Sequence, residues 1–422
     1  MSKQEGDLNW FLESRFGLFI HWGLYAIPAR GEWVRSHEKI SVQAYQPYFD
    51  QFNPVDYDPR AWAKLARAAG QRYVVMTAKH HDGFCLFDSK LTSYKSKNTP
   101  AGRDLISEYI EAFRAEGLRV GLYYSLLDWH HPDYPAYGDR IHPMRDNEEF
   151  KNKDYDFNEY VKYLHGQVEE LLTNYGKIDL VWFDFSYGDL KGEKWEASKL
   201  VRMMRTLQPG IVINNRLGGN LKSTTPEVYT GDFITPEQIL PPEGCLNEAG
   251  EPIPWEACIT LNDHWGYCAA DTNYKSAMTV IRGIVECVSK NGNLLLNIGP
   301  NIRGAVPSES EQILEEAGKW MDRNGESIYG CGAASLPKPE WGRYTQKGNK
   351  LYAHIFERGM GPINLKGLKG KIKQARLLAD GSEVNVETPW MAHEYKEDAF
   401  IVFKSAELPD SLDTVVELEL VE

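Results

Sequence analysis

Asp184 closes the run Leu180-Val181-Trp182-Phe183-Asp184, an apolar stretch that stops on an acid. In a strand, alternation puts Trp182 and Asp184 on one face and Val181 and Phe183 on the other. A carboxylate beside an indole at the carboxyl end of a buried strand is where a (β/α) barrel keeps its chemistry. The plainer reading is a helix N-cap or turn aspartate. Other apolar runs end in the same manner: Phe19-Ile20-His21-Trp22-Gly23, Thr77-Ala78-Lys79-His80-His81-Asp82-Gly83, Tyr123-Tyr124-Ser125, Asn214-Asn215-Arg216 and Gly231-Asp232-Phe233. One strand ending in histidine is usually a satisfied core residue. Several such ends converging on one mouth of a barrel make a deep polar pocket.

Barrel metal sites draw on His-x-His, because alternate residues of a strand share a face. His80 and His81 are neighbours and no cysteine joins them, so neither a metal nor another cofactor is expected. A serine nucleophile is disfavoured by the absence of a Gly-x-Ser-x-Gly elbow. The remaining chemistry needs two carboxyl groups. In retaining glycoside hydrolysis one attacks the anomeric carbon, while the other protonates the departing oxygen and later activates water. Asp184 is the natural first. Glu237, Glu256 and, as a lesser option, Asp232 are candidates for the second, and spacing does not choose among them. Imidazoles that both donate and accept would suit the hydroxyls of such a ligand.

These residues need elements to hold them. Short apolar runs at 17–23, 73–78, 119–125, 180–185, 211–215, 228–233 and 293–298 alternate with helical patterns at 59–69, 104–116, 158–174, 194–207, 275–289 and 309–323. Strand–helix repetition of this kind predicts a parallel sheet, and seven or eight units predict a (β/α)₈-like barrel over 1–330. Beyond it, 351–356, 371–378, 400–404 and 415–420 read as short strands parted by Gly, Pro and Asp, a small antiparallel β-sandwich over 331–422.

The net charge of −13, from 47 basic against 60 acidic side chains, argues against a nucleic-acid partner. No 18-residue apolar stretch suggests a membrane partner. The 6 cysteines are scattered without a CxxC pair, and the opening Met-Ser-Lys-Gln-Glu-Gly-Asp carries no apolar leader. A cytoplasmic location is the simplest reading, although a protein trimmed of a secretion signal reads the same way. Trp390, in Glu387-Thr388-Pro389-Trp390-Met391-Ala392, lies where Pro389 predicts a turn. Its ring either folds back onto the sandwich core or anchors a contact with another subunit.

Read together and in order, Phe19-Ile20-His21-Trp22-Gly23, Gly31-Glu32-Trp33, Lys79-His80-His81-Asp82-Gly83-Phe84, Tyr123-Tyr124-Ser125, Trp182-Phe183-Asp184, Asn215-Arg216, His264-Trp265-Gly266-Tyr267 and Leu294-Leu295-Leu296-Asn297-Ile298-Gly299-Pro300 resemble the α-L-fucosidases of glycoside hydrolase family 29. The resemblance spans about residues 10 to 325. It implies a barrel followed by a β-sandwich, a retaining mechanism with Asp184 as nucleophile, and a small-molecule carbohydrate as partner. It also implies assembly into homo-oligomers, for which Trp390 is the candidate anchor. Some members carry the acid/base in a stretch similar to Asp232-Phe233-x-Thr235-x-Glu237, which favours Glu237. In others the Trp255-Glu256 string is the rival. By the same resemblance His21, Glu32, Trp33, His80, His81, Tyr124, Trp182, Arg216 and Trp265 line the sugar pocket, with Tyr123 the alternative to Tyr124. A hydrolase of another fucose-configured sugar (an α-L-galactosidase), an inactive fucose-binding protein and a metal-dependent amidohydrolase are the competing readings.

Overall fold

The computed structural model describes residues 6–392, 394–405 and 407–421; the leading residues 1–5 lie outside the described residues. Seven strands form one all-parallel sheet: β1 (Phe16–Ile20), β2 (Tyr73–Lys79), β3 (Arg119–Ser125), β4 (Leu180–Asp184), β5 (Val212–Ile213), β6 (Glu256–Thr260) and β7 (Asn293–Ile298). Their order is β5-β4-β3-β2-β1-β7-β6. The gap between β5 and β6 is filled by the extended segment 232–238. Its Asp232 N–H donates to Ile213 O on one side, and Gln238 N–H donates to Cys258 O on the other. This irregular stave closes the sheet into a TIM-like barrel.

Three expectations are corrected here. The strand predicted at 228–233 lies farther along the chain and is interrupted by Pro236, which offers no N–H to a ladder. The strand predicted at 211–215 shortens to β5, because Asn214 continues the pairing by side chain: its Oδ1 accepts from Phe183 N–H at 2.9 Å and its Nδ2 donates to Phe183 O at 2.8 Å. Glu256, which lies in none of the apolar runs expected to form strands, opens β6.

Helices at Pro59–Ala68, Leu105–Ala115, Phe157–Asn174, Ala197–Leu207, Ala277–Val288 and Ser308–Asn324 follow the predicted patterns closely. Asp58, Asp104, Asp156 and Ser276 accept from N–H groups of the first turns, each such cap worth about 1 kcal/mol. Strand alternation sorts the apolar side chains into two populations. One row (Leu18, Val74, Met76, Leu122, Tyr124, Val181, Phe183) packs outward in the large core, and the other (Phe19, Tyr73, Val75, Tyr123, Leu180, Trp182, Cys258, Leu295) fills the barrel interior. Trp10 and Phe11 of the opening helix Leu8–Ser14 join the interior cluster and pack on Tyr73, at the end where the strands begin. That end is plugged, so the polar residues at the other end form the open mouth.

The remaining strands are antiparallel: β8 (Gly332–Ala333), β9 (Gly342–Lys347), β10 (Lys350–Ile355), β11 (Ile363–Leu365), β12 (Ile372–Leu377), β13 (Asn385–Glu387), β14 (Ala399–Val402) and β15 (Thr414–Leu420). A five-stranded sheet, β12-β15-β10-β9-β8, and a three-stranded sheet, β11-β14-β13, enclose their own core around Leu351, Leu365, Ile401 and Leu418. Trp390 opens a short 3₁₀ turn and is 83% exposed, which overturns the reading that folds it into that core.

Candidate active site

Asp184 is the last residue of β4, and the chain turns sharply after it. Phe185 takes a left-handed conformation (φ 68°), a rare one for a side chain of its size, and its N–H returns to Asp184 Oδ1 at 2.9 Å. Arg216 Nη1 donates to the same oxygen at 2.8 Å, and Tyr123 Oη donates to Oδ2 at 2.8 Å. The carboxylate is therefore held by three donors from three different segments.

Arg216 carries the second acid as well. Its Nη2 donates to Glu237 Oε2 at 2.7 Å, and Nε donates to Thr235 Oγ1 at 2.9 Å. Thr235 in turn is fixed by Asn215 Oδ1, which accepts from its hydroxyl at 3.0 Å. The guanidinium lies over the Trp182 ring, 4.5 Å from its centroid. One planar fork thus holds Asp184 and Glu237 side by side at the mouth, the paired-carboxylate arrangement on which glycoside hydrolysis runs. Glu237 keeps 41% of its side chain exposed, whereas Asp184 is buried. A cleft of about 400 Å³ opens beside them, lined by Asp184, Arg216, Thr235, Tyr187 and Arg140.

Three histidines flank Asp184. Asn297 Nδ2 donates to Trp265 O at 2.7 Å, so its Oδ1 accepts from His21 Nδ1 at 2.7 Å and His21 Nε2 is left as an acceptor. Ser125 gives its proton to Leu127 O, so its oxygen accepts from His81 Nδ1 at 2.6 Å and leaves that ring's Nε2 open too. His81 Nε2 stands 3.8 Å from Asp184 Oδ2, too far for a direct bond and suited to a donor bridging them. His80 Nδ1 is buried with no partner. Burial holds His21 down to about 3 and His80 and His81 well below the usual imidazole range, helped by the neighbouring cations and rings. Neutral rings with open acceptors in a buried pocket await hydroxyl groups.

Residues 2–326 match the family model for α-L-fucosidase. The chain belongs to that family, glycoside hydrolase family 29. It is 31% identical over 392 residues to human tissue α-L-fucosidase, covering 85% of this chain and 77% of the relative. Among solved structures, α-L-fucosidase isoenzyme 1 from Paenibacillus thiaminolyticus superposes with a TM-score of 0.99 at 66% identity, covering 100% of both chains. A family 29 α-L-fucosidase from Bacteroides thetaiotaomicron, solved with a trapped covalent intermediate, gives a TM-score of 0.84 at 30% identity, covering 100% of this chain and 99% of that one.

Within this fucosidase fold, most of the residues named from sequence gather at one mouth. Trp33 contacts His81, Phe185 and Trp129, and Trp265 packs against His21 and Phe19. Glu32 is buried and accepts from Gly266 N–H at 2.7 Å; burial pushes its carboxyl upward. It braces the loop that carries Trp265. Trp182 is deeper, forming the floor under Arg216.

Tyr124 does not belong to this group. It faces outward, donates to Gln167 Oε1 at 2.8 Å and lies under the buried Lys79 ammonium. Tyr123, its inward neighbour, takes the place; the alternation of Gly121, Tyr123 and Ser125 against Val120, Leu122 and Tyr124 carried that signal. Asn297 belongs to the motif at 294–300, and the structure gives it a role there: it orients both His21 and Trp265.

Neither of the other acids reaches the mouth. Glu256 begins its strand in register with Asn293, whereas Asp184 ends its own. It is fully buried, accepting from Tyr73 Oη and, at 3.1 Å, from Trp182 Nε1. Asp232 lies at the start of the irregular stave, paired with Arg205 Nη2 at 2.6 Å and with Ile213 N–H at 2.8 Å. Five residue steps of extended chain, about 16 Å, separate it from Glu237.

Proposed function

We propose that this family 29 enzyme hydrolyses terminal α-L-fucosyl residues through Asp184 as nucleophile and Glu237 as acid/base. Asp184 attacks the anomeric carbon while Glu237 donates its proton to the departing glycosidic oxygen. Glu237 then takes a proton from water, which displaces Asp184 and restores the starting configuration. The observation that carries this assignment is the single guanidinium holding both carboxylates at the mouth. His21, His80 and His81 receive the sugar hydroxyls, with Trp33, Trp265 and the Trp182 floor supplying apolar surface; Tyr123 positions the nucleophile. An α-L-galactosidase or an inactive fucose-binding protein is not favoured. The catalytic unit is 1–330 and the appended sandwich 331–422.

Asp184→Ala should abolish nearly all turnover of an aryl α-L-fucoside without unfolding the protein, and azide should restore part of it as the inverted fucosyl azide. Glu237→Ala should harm fucosyl disaccharides far more than activated aryl fucosides, since a good leaving group departs unprotonated. More than a tenth of wild-type activity in Asp184→Ala, or a leaving-group asymmetry in Glu256→Ala instead, overturns the assignment.

We further propose that the chain assembles through the exposed Trp390 region of the sandwich. A reducing, cytoplasmic setting is supported by its six free thiols. Among the described residues, no helix is long and apolar enough to cross a membrane.

A further inference from the structure

The cleft beside the nucleophile has a feature the hydrolysis of a neutral fucoside does not use. Arg140 lines it together with Tyr187, Ser186 and Gly218, and the same cleft is lined by Arg216, which holds Glu237. Its guanidinium is exposed, and among the described residues no carboxylate pairs with it. The nearby acids are committed elsewhere. Asp139 Oδ1 accepts from Ile141 and His142 N–H at 2.8 and 2.7 Å, and its Oδ2 takes the Tyr187 hydroxyl at 2.5 Å. Asp184 and Glu237 are both held by Arg216. In a chain of net charge −13, an arginine that lines the catalytic cleft without a carboxylate partner among the described residues can take an anion from a ligand.

Resting on the proposed roles of Asp184 and Glu237, the departing group must leave past Glu237, and the cleft borders both Asp184 and Arg216, the residue that holds Glu237. We propose that this cleft is a leaving-group subsite that selects fucosides whose aglycone carries an anion, a carboxylate or a sulfate, through Arg140. A guanidinium offers either anion a two-pronged donor set, and the Tyr187 ring gives the aglycone a flat wall. The class of natural substrate is then a fucosylated acidic glycan.

The test compares three aryl α-L-fucosides, para-carboxyphenyl, para-sulfophenyl and para-carbamoylphenyl, in the wild type, Arg140→Gln and Arg140→Glu. Ratios between enzymes for one substrate cancel differences in leaving-group acidity. Arg140→Gln should lower kcat/KM for the anionic substrates about two- to fivefold, the effect of an exposed ion pair, and leave the carbamoyl substrate unchanged. Arg140→Glu should widen the gap further, and roughly 0.5 M salt should close it. A response confined to carboxylate or to sulfonate names the anion. Equal effects on charged and neutral substrates, or none on either, overturn the subsite while leaving the catalytic assignment standing. Failure of the wild type to cleave the carbamoyl substrate would instead strike the assignment itself.

Discussion

Glu256→Gln separates a catalytic acid from a buried structural one. Burial pushes the Glu256 carboxyl from its ordinary 4.5 up to about 7, in spite of the hydrogen bonds from Tyr73 and Trp182, which pull the other way. The folded protein therefore holds that proton more tightly than the unfolded chain. The contribution of Glu256 to stability is greatest below pH 4.5, falls as the pH rises toward 7, and carries the full cost above it. That interval corresponds to about 3 kcal/mol. Glutamine removes the charge, keeps a carbonyl oxygen for Trp182 Nε1 and offers its amide to Tyr73 Oη. At pH 8 the variant should gain up to about 3 kcal/mol, and at pH 4 almost nothing. With an unfolding entropy near 2.1 cal/mol/K per residue, the gain at pH 8 is a melting-temperature rise of about 3 °C. Thermal unfolding of both proteins by circular dichroism across pH 4–8 reads this directly. An equal shift at every pH refutes the buried-charge argument. Selective loss of activity on poor leaving groups refutes the placement of Glu256 away from the reaction.

The remaining predictions concern the mouth and the sandwich. Arg216→Met leaves two carboxylates facing each other without their shared cation, and kcat/KM should fall at least about 100-fold, from the 3–5 kcal/mol of breaking a buried pair; steady-state kinetics showing less than a tenfold loss would contradict the bridging role. Tyr123→Phe should cost about 10- to 100-fold in kcat by removing a charged hydrogen bond to Asp184, while Tyr124→Phe should lower only the melting temperature; the opposite pattern would restore Tyr124 to the pocket. Trp390→Ala should shift the assembly to smaller species in light scattering or raise KM, and an unchanged mass with unchanged kinetics would remove Trp390 from any interface.

The sequence by itself carried the architecture, because a parallel barrel writes its strands as apolar runs with polar ends and its helices as longer amphipathic ones. Asp184, His21, His80, His81 and Arg216 were legible for the same reason: each follows a run that can only be a buried strand. Residues adjacent in a strand point opposite ways, so alternation separates Tyr123 from Tyr124 in the sequence, and the register of β3 against β4, which pairs Tyr123 with Trp182, fixes which of the two faces is inward. Glu256 and Glu237 look alike in sequence, both beyond the sixth strand run. Only the pairing of β6 with β7 showed that Glu256 starts a strand while Glu237 ends a stave. A one-dimensional pattern gives the spacing of side chains along the chain, but which end of the barrel an acid occupies depends on where hydrogen bonding to a neighbour begins. The bridge from Asp184 through Arg216 to Glu237 joins three segments far apart in sequence, and only folding brings them within one guanidinium's reach.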